Sequence, residues 1–123
     1  MLREFDVSQE QTHRGDVDVT VFRLRGYLDA HTSPAFEQAL QERLANGAAH
    51  VVVDCETLEY ISSAGLGILI DAYRTLKSKE GTLRVSCMSP AIADIFDILG
   101  FSKVIASYAT LDLALAEYGG AGT

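Results

Sequence analysis

The chain has 123 residues, of which 48% are hydrophobic, and its formal net charge is −7. This length fits one domain with a core of ordinary size. An acidic surface repels nucleic-acid backbones and anionic lipid headgroups, so we expect neither nucleic acid nor a membrane among its partners. Such a surface suits a basic partner instead.

The sequence shows no sign of membrane insertion, export or metal binding. No segment reaches the ~18 apolar residues of a membrane-spanning helix, and the first residues lack the apolar run of a signal peptide. We therefore expect a cytoplasmic protein. Cys55 and Cys87 form no CxxC pair, so we expect two reduced, buried thiols rather than a metal or redox site. The histidines have no metal-ligand spacing, and neither metal nor cofactor is expected.

The pattern of apolar residues predicts strands that alternate with helices. In chain order it predicts a strand, a strand, a helix, a strand, a helix, a strand, a helix, a strand and a helix, near residues 5–11, 17–28, 34–45, 51–53, 63–79, 83–87, 90–99, 104–106 and 111–118. Such alternation indicates right-handed crossovers and a mostly parallel sheet, which the first hairpin makes mixed. The fold class is therefore α/β. The glycine-rich residues 119–123 are expected to form a flexible tail.

Three local signals refine this scheme. The apolar alternation changes phase between Val21 and Phe22, which suggests a β-bulge there. The uninterrupted β-branched run at 51–53 is typical of a strand that is covered on both faces. Ser33 precedes a proline, which predicts that Ser33 is an N-cap and that the proline is the first helical residue.

Functional groups in sheets of this kind gather at the carboxyl ends of the strands. Asp29, Asp54 and Cys87 are expected at three such ends. Asp54 also resembles the phosphoacceptor of a receiver domain. No acidic pair follows the first strand, however, and this argues against a receiver domain.

The most informative segment, residues 54–67, is expected to run from a buried strand, through a loop, to a helix start with two serines and two glycines. Ser62 and Ser63 at such a position are ordinarily N-caps. Gly65 and Gly67 each cost about 0.5–1 kcal/mol of helix stability relative to alanine. Either the backbone packs closely on the sheet there, or a partner or nucleotide approaches it closely. The spacing leaves both interpretations open.

A helix start is also a favourable place for a phosphate. A phosphoserine carries about −1.5 to −2 charges at neutral pH, and the positive end of the helix dipole and its free N–H groups stabilise that charge. A partner packed over the same spot would have to desolvate the phosphate. A change of about 5.5 kcal/mol in binding free energy is enough to take a complex from almost fully formed to almost fully dissociated. Phosphorylation of Ser63 could thus control binding without any change of fold.

Two motifs resemble those of a known family. Residues 26–32, GYLDAHT, resemble the G-x-L-D-x-x-T signature of STAS domains. Residues 60–67, YISSAGLG, resemble the phosphorylation motif of that family, and residues 88–91 and 97–100 resemble its next helix and the end of that helix. The resemblance extends in order over nearly the whole chain.

The resemblance is greatest to free-standing anti-sigma factor antagonists. It implies one STAS domain over residues 1–118, ahead of the tail at 119–123. Family members bind an anti-sigma factor that is also a serine kinase, and the kinase phosphorylates the serine two places before the first glycine of a G-L-G element. A PP2C-type phosphatase, which is metal-dependent, reverses this step. The resemblance makes Ser63 that serine in a non-catalytic protein, with ATP and magnesium supplied by the kinase.

The resemblance also implies a partner-binding surface around Ser63. Its residues would be Asp29, Ser62, Ala64, Gly65, Leu66 and Gly67. The best-known family members carry aspartate immediately before the phosphoserine, whereas this chain has Ser62. Ser62 is therefore an alternative acceptor, although Ser63 fits the motif better.

Two other functions stay open. The domain could be a scaffold in a signalling assembly or a subunit beside a lipid-transport ATPase, with the serines as caps and the glycines as packing. It could also be a nucleotide-binding or weakly hydrolytic enzyme. The absence of a G-x-x-x-x-G-K-[ST] phosphate loop argues against the enzyme.

Overall fold

The computed structural model describes residues 4–118. Its elements, in chain order, are β1 (Phe5–Arg14), β2 (Val17–Leu28), α1 (Ser33–Ala45), β3 (His50–Ile61), α2 (Ser63–Ser78), β4 (Thr82–Ser86), α3 (Pro90–Ile98), a 3-10 turn (Phe101–Lys103), β5 (Ala106–Tyr108) and α4 (Leu111–Ala116). The predicted tail, residues 119–123, lies outside the described residues, as do residues 1–3 of the predicted domain. No helix within the described range is long and apolar enough to cross a membrane.

The strands form one five-stranded sheet in the order β1-β2-β3-β4-β5. The β1–β2 pair is antiparallel, and the other three neighbouring pairs are parallel. The predicted α/β fold with a mixed, mostly parallel sheet is confirmed. Because β2, β3, β4 and β5 run in one direction, their carboxyl ends and the starts of the helices that follow lie along the same edge of the sheet.

Both faces of the sheet bury apolar side chains. The larger cluster packs α1, α2 and α3 on one face, around residues such as Phe22, Val53 and Leu69. The smaller cluster packs α4 against the opposite face, over Val21 and Val52. The run at 51–53 is therefore buried on both sides, as predicted.

The bulge predicted between Val21 and Phe22 is wrong. The β1–β2 pairing is continuous over the full length of β1. Val21 and Phe22 are both buried because they point to opposite faces of a sheet that is covered on both sides. Register shifts do occur in β2, but they lie beyond Arg23 and concern its pairing with β3.

The strand predicted at residues 104–106 begins later in the structure. Gly100 has a φ of 79°, and this left-handed residue leads into the 3-10 turn rather than directly into a strand. The N–H of Ile105 donates to the carbonyl oxygen of Phe101 at 2.9 Å, which prolongs the turn. Strand β5 therefore begins only at Ala106.

Candidate functional site

Ser62 caps helix α2 at the carboxyl end of β3. Its hydroxyl oxygen accepts a hydrogen bond from the N–H of Gly65 at 3.3 Å, and its backbone is extended. Its own N–H donates to the carbonyl oxygen of Leu28 at 2.8 Å, which ties the helix start to the end of β2. The Ser62 side chain is half-buried. This hydroxyl is therefore engaged in capping the helix.

Ser63 is the first residue of α2, and its side chain is exposed. Within the described part of the chain, no hydrogen bond engages its hydroxyl, in contrast to that of Ser62. The Ser63 oxygen is thus open to an enzyme in solution. Of the two candidate acceptors, Ser63 has an exposed side chain, whereas the Ser62 hydroxyl already caps the helix.

The start of α2 offers a favourable setting for a negative group. The helix has 16 residues, so its first turn presents free N–H groups and the positive end of its dipole. No acidic residue lies in that first turn. A phosphate on Ser63 would therefore meet no carboxylate from its own helix turn.

Gly65 is required by the packing of α2 on the sheet. A Cβ atom at this position would lie 2.8 Å from Cδ2 of Leu28 and 3.0 Å from Cγ1 of Ile61. Both of those side chains are buried, so neither can move into free space. The packing interpretation of the two glycines is therefore confirmed for Gly65.

Packing within the chain does not explain why position 67 is a glycine. Gly67 is exposed, and an added Cβ atom would meet nothing within 4 Å. A glycine inside a helix nevertheless costs about 0.5–1 kcal/mol relative to alanine. Close packing on the sheet does not account for it. The second interpretation, close approach of another molecule, stays a prediction here.

The remaining residues of the motif differ in accessibility. Ala64 is exposed beside Ser63. Leu66 is only 4% exposed and belongs to the main core. In this conformation Gly65 and Leu66 hold the helix in place, whereas Ala64 and Gly67 offer surface. Partner contacts at all four positions stay predictions.

Asp29 stabilises the turn between β2 and α1. Its Oδ1 accepts hydrogen bonds from the N–H of His31 at 2.9 Å and from the N–H of Thr32 at 3.1 Å. Partial burial would raise the pKa of Asp29, but these hydrogen bonds outweigh it and hold the pKa below its usual range. Asp29 is therefore ionised at neutral pH and has a structural role in addition to any contact with a partner.

The N-cap predicted at Ser33 is wrong by one residue. Thr32 occupies the cap position, and Ser33 is the first helical residue. The Thr32 hydroxyl donates to the carbonyl oxygen of Tyr27 at 2.7 Å and accepts from the N–H of Asp29 at 2.9 Å. Ser33 is buried, and its hydroxyl donates to the carbonyl oxygen of Asp29. The Ser33 hydroxyl is thus used in the turn before the helix, and Thr32 makes no side-chain cap hydrogen bond in its place.

Asp54 lies beneath the surface within β3 and not at its carboxyl end as predicted, because the strand continues to Ile61. It is 4% exposed, and its Oδ1 accepts from the Ser86 hydroxyl at 3.0 Å. Its Oδ2 lies 3.4 Å from Nη1 of Arg23. This carboxylate is thus enclosed and paired with Arg23, unlike an exposed phosphoacceptor. Within residues 4–118, no group of three or more histidine, cysteine or acidic side chains could hold a metal ion.

Both cysteines are free thiols, as predicted. Cys55 is buried in the main core, and desolvation raises its pKa to about 12. The expected burial of Cys87 is only partly met, because its side chain is half-buried and its φ is 62°. Neither thiol lies in an electropositive setting that would activate it.

A groove opens between the amino-terminal parts of α1 and α2, next to Ser63. We call it the α1–α2 groove; its volume is ≈ 340 Å³, and it is lined by Ala30, Ser33, Pro34, Glu37, Ala64, Gly67, Ile68 and Asp71. The groove could not be predicted from the sequence, because it depends on how two helices that are distant in sequence pack together. The unexplained Gly67 was the only sequence signal that pointed towards it.

Comparisons with known proteins agree on one family and one fold. A family model described as STAS domain matches residues 10–114. The Anti-sigma F factor antagonist of Paenibacillus polymyxa is 30% identical over 106 residues, which cover 85% of this chain and 88% of that protein.

Solved structures give the same result. An anti-sigma factor antagonist from Mycobacterium paratuberculosis superposes with a TM-score of 0.82 at 33% identity, over 92% of each chain. The fold is also that of the Bacillus cell fate determinant SpoIIAA in its phosphorylated form, with a TM-score of 0.72 at 22% identity, over 91% of this chain and 98% of that one.

Proposed function

Because the chain belongs to the STAS domain family, we propose that it is an anti-sigma factor antagonist controlled by phosphorylation of Ser63. The unphosphorylated protein binds an anti-sigma factor that is also a serine kinase, and so frees the sigma factor. Phosphorylation of Ser63 ends this complex, and a PP2C-type phosphatase restores the binding form. The names of the two relatives above, both antagonists of anti-sigma factors, support this role.

One observation carries the proposal. The hydroxyl of Ser63 is exposed and makes no hydrogen bond within residues 4–118, whereas the hydroxyl of Ser62 caps the helix. A kinase can therefore reach the Ser63 oxygen without unwinding the first turn of α2. Modification of Ser62 would instead break the hydrogen bond to Gly65.

The same geometry explains how a phosphate could act as a switch. The dipole and free N–H groups of α2 favour the added charge, and the packing of Gly65 on Leu28 holds the helix in place. The protein therefore stays folded. A partner that covers Ser63 would have to desolvate two negative charges, and this opposes binding.

In this proposal the chain is the substrate of a kinase and not itself an enzyme. ATP, magnesium and the catalytic groups come from the kinase, and the chain needs no cofactor or metal. Its partners are the kinase and the phosphatase in the cytoplasm. Its net charge of −7 suits a basic partner surface and disfavours nucleic acid and anionic membranes.

The acceptor can be tested with the cognate kinase and Mg-ATP, followed by mass spectrometry of the phosphorylated peptide. We expect one phosphate on Ser63 in the natural chain and none in Ser63→Ala. Ser62→Asp is the matched control, because aspartate is as good an N-cap as serine but has no hydroxyl to phosphorylate. It should still be phosphorylated at Ser63. Unchanged phosphorylation of Ser63→Ala would overturn the assignment.

The binding step is tested by capture of the kinase on immobilised protein. The unphosphorylated chain should retain the kinase, and Ser63→Asp should not. Equal retention by both would favour the alternative in which the domain is a scaffold or transporter subunit without a phospho-switch. Ser78→Asp serves as the control, because it adds a carboxylate at the exposed far end of α2 and should still retain the kinase.

A further inference from the structure

We propose that the α1–α2 groove is the second part of the docking surface and accepts a lysine or arginine side chain of the kinase between Glu37 and Asp71. This inference rests on the proposed function. It adds to that function a specific contact away from Ser63, and it requires a lysine or arginine side chain on the kinase.

The groove is continuous with the site of phosphorylation. Ala64, the neighbour of Ser63, lines it, and Gly67 lies one helical turn further along α2. A molecule that covers Ser63 and extends over Ala64 therefore reaches the groove.

The groove also continues along the two helices, away from Ser63. A smaller depression of ≈ 70 Å³ follows it, and half of its lining residues are apolar, among them Leu40, Leu44 and Ala72. Glu37, Ile68 and Asp71 line both depressions. The two carboxylates therefore lie where the depressions join, one on each helix.

Positive side chains of the protein itself do little to balance the charge of these two carboxylates. Glu37 takes part in no ion pair among the described residues, and Asp71 has only Arg74 on its own helix, at 3.8 Å. That contact joins two side chains that are each about three-quarters exposed, at 74% and 75%. Such a pair contributes little in water. Two like charges on opposite sides of a groove favour a cation between them.

The small residues of α2 leave room for such a cation. A Cβ atom at Gly67 would meet nothing within 4 Å, so the chain itself makes no use of the space. Any larger side chain at Gly67 would project into the groove. The glycine thus keeps the groove open at the expense of helix stability.

A long basic side chain fits this combination better than other occupants. Its methylene stem can lie along Ile68 and the small residues while its charged head reaches the carboxylates. A second copy of this chain is disfavoured, because its net charge of −7 has the same sign as the groove.

The test compares binding of the ADP-loaded cognate kinase to paired variants by biolayer interferometry at low and high salt. The Glu37→Gln, Asp71→Asn variant removes both groove charges without a change of shape. The matched control, Glu42→Gln with Asp94→Asn, removes two exposed charges that do not line the groove. We expect the groove variant to bind about tenfold more weakly, chiefly through slower association, and with a smaller salt dependence. The control should stay within about twofold of the natural chain.

A second variant tests whether binding needs the open space of the α1–α2 groove beside Gly67. Gly67→Leu replaces glycine by a better helix former, so the protein should fold at least as well. It should nevertheless block the groove and weaken kinase binding by tenfold or more.

The outcomes separate this inference from the proposed function. If the natural chain binds the kinase and is phosphorylated on Ser63, but the groove variant matches the control and Gly67→Leu binds normally, the groove inference is wrong and the phospho-switch stands. If the natural chain forms no complex with the kinase, both are wrong. Weakened binding of the groove variant and of Gly67→Leu, with the control unaffected, supports the groove.

Discussion

Ser62 and Ser63 are consecutive residues whose hydroxyl groups have opposite environments. The Ser62 oxygen accepts a hydrogen bond from Gly65 at 3.3 Å, whereas the Ser63 side chain is exposed. One hydroxyl stabilises the helix, and the other is free for chemistry. Stability measurements can therefore separate the two serines without any partner.

The first prediction concerns these hydroxyl groups. Ser62→Ala should lower the free energy of unfolding by about 1 kcal/mol, because the helix loses its cap. Ser63→Ala should change it by less than about 0.5 kcal/mol, as is usual at exposed positions. Urea denaturation of both variants measures the difference. Equal effects of the two substitutions would contradict the assignment of the cap.

The second prediction concerns the two glycines. Gly65→Ala should destabilise the fold by about 1–3 kcal/mol, because the new methyl group would overlap Leu28 and Ile61. Gly67→Ala should stabilise it by about 0.5–1 kcal/mol, because alanine is the better helix former and the position is open. Thermal denaturation of each variant provides the measurement. The prediction is wrong if both variants shift the midpoint in the same direction.

The third prediction concerns the pH dependence that Asp29 imposes. Its pKa is lower in the folded protein than in the unfolded chain, because the ionised carboxylate accepts hydrogen bonds from Thr32 and His31. Its stabilising effect is therefore complete above the unfolded pKa, near 4, and is lost as the pH falls through the lower folded value. In Asp29→Asn the amide oxygen can still accept a hydrogen bond but does not ionise.

The measurement is the free energy of unfolding between pH 7 and pH 3 for the natural chain and Asp29→Asn. The natural chain should lose more stability on acidification than the variant. Glu42→Gln, which removes an exposed carboxylate elsewhere on α1, is the control and should follow the natural chain. Parallel curves for the natural chain and Asp29→Asn would show that the carboxylate has no part in the turn.

The fourth prediction concerns thiol reactivity. Burial raises the pKa of Cys55 to about 12, so this thiol should stay protonated and protected at pH 8. Cys87 is half-buried, and although desolvation also raises its pKa, a reagent can reach it. Iodoacetamide followed by peptide mapping should therefore modify Cys87 slowly and Cys55 only after denaturation. Faster labelling of Cys55 in the native protein would contradict its place in the core.

Much of the fold could be predicted from local patterns. The β-branched run at 51–53 predicted a strand with two covered faces, because only such a strand tolerates consecutive apolar residues. The position of Ser62 and Ser63 at a helix start was also predictable, because a helical pattern begins there. These features depend on sequence spacing alone. The loop predicted before that helix was wrong, since β3 continues from residue 53 to Ile61.

The wrong predictions concern places where two residues compete for the same capping position, or where the outcome depends on contacts between elements that are distant in sequence. Ser33 has the sequence of an N-cap, but its hydroxyl bonds back to the carbonyl oxygen of Asp29, and Thr32 takes the cap position. Val21 and Phe22 suggested a bulge because the pattern alone does not show that α4 covers the second face. The roles of Gly65 and Gly67 could not be separated, because only the packed structure shows that Leu28 lies beneath one of them.

The contact between Leu28 and Gly65 has a consequence for the speed of signalling. In the proposed switch, a phosphate on Ser63 would change the surface while the helix start keeps its packing against the end of β2. No slow structural relaxation would then separate modification from response. The rates of the kinase and the phosphatase would then set how long each signal lasts. The phosphorylation state of Ser63 would show which of the two enzymes acted last.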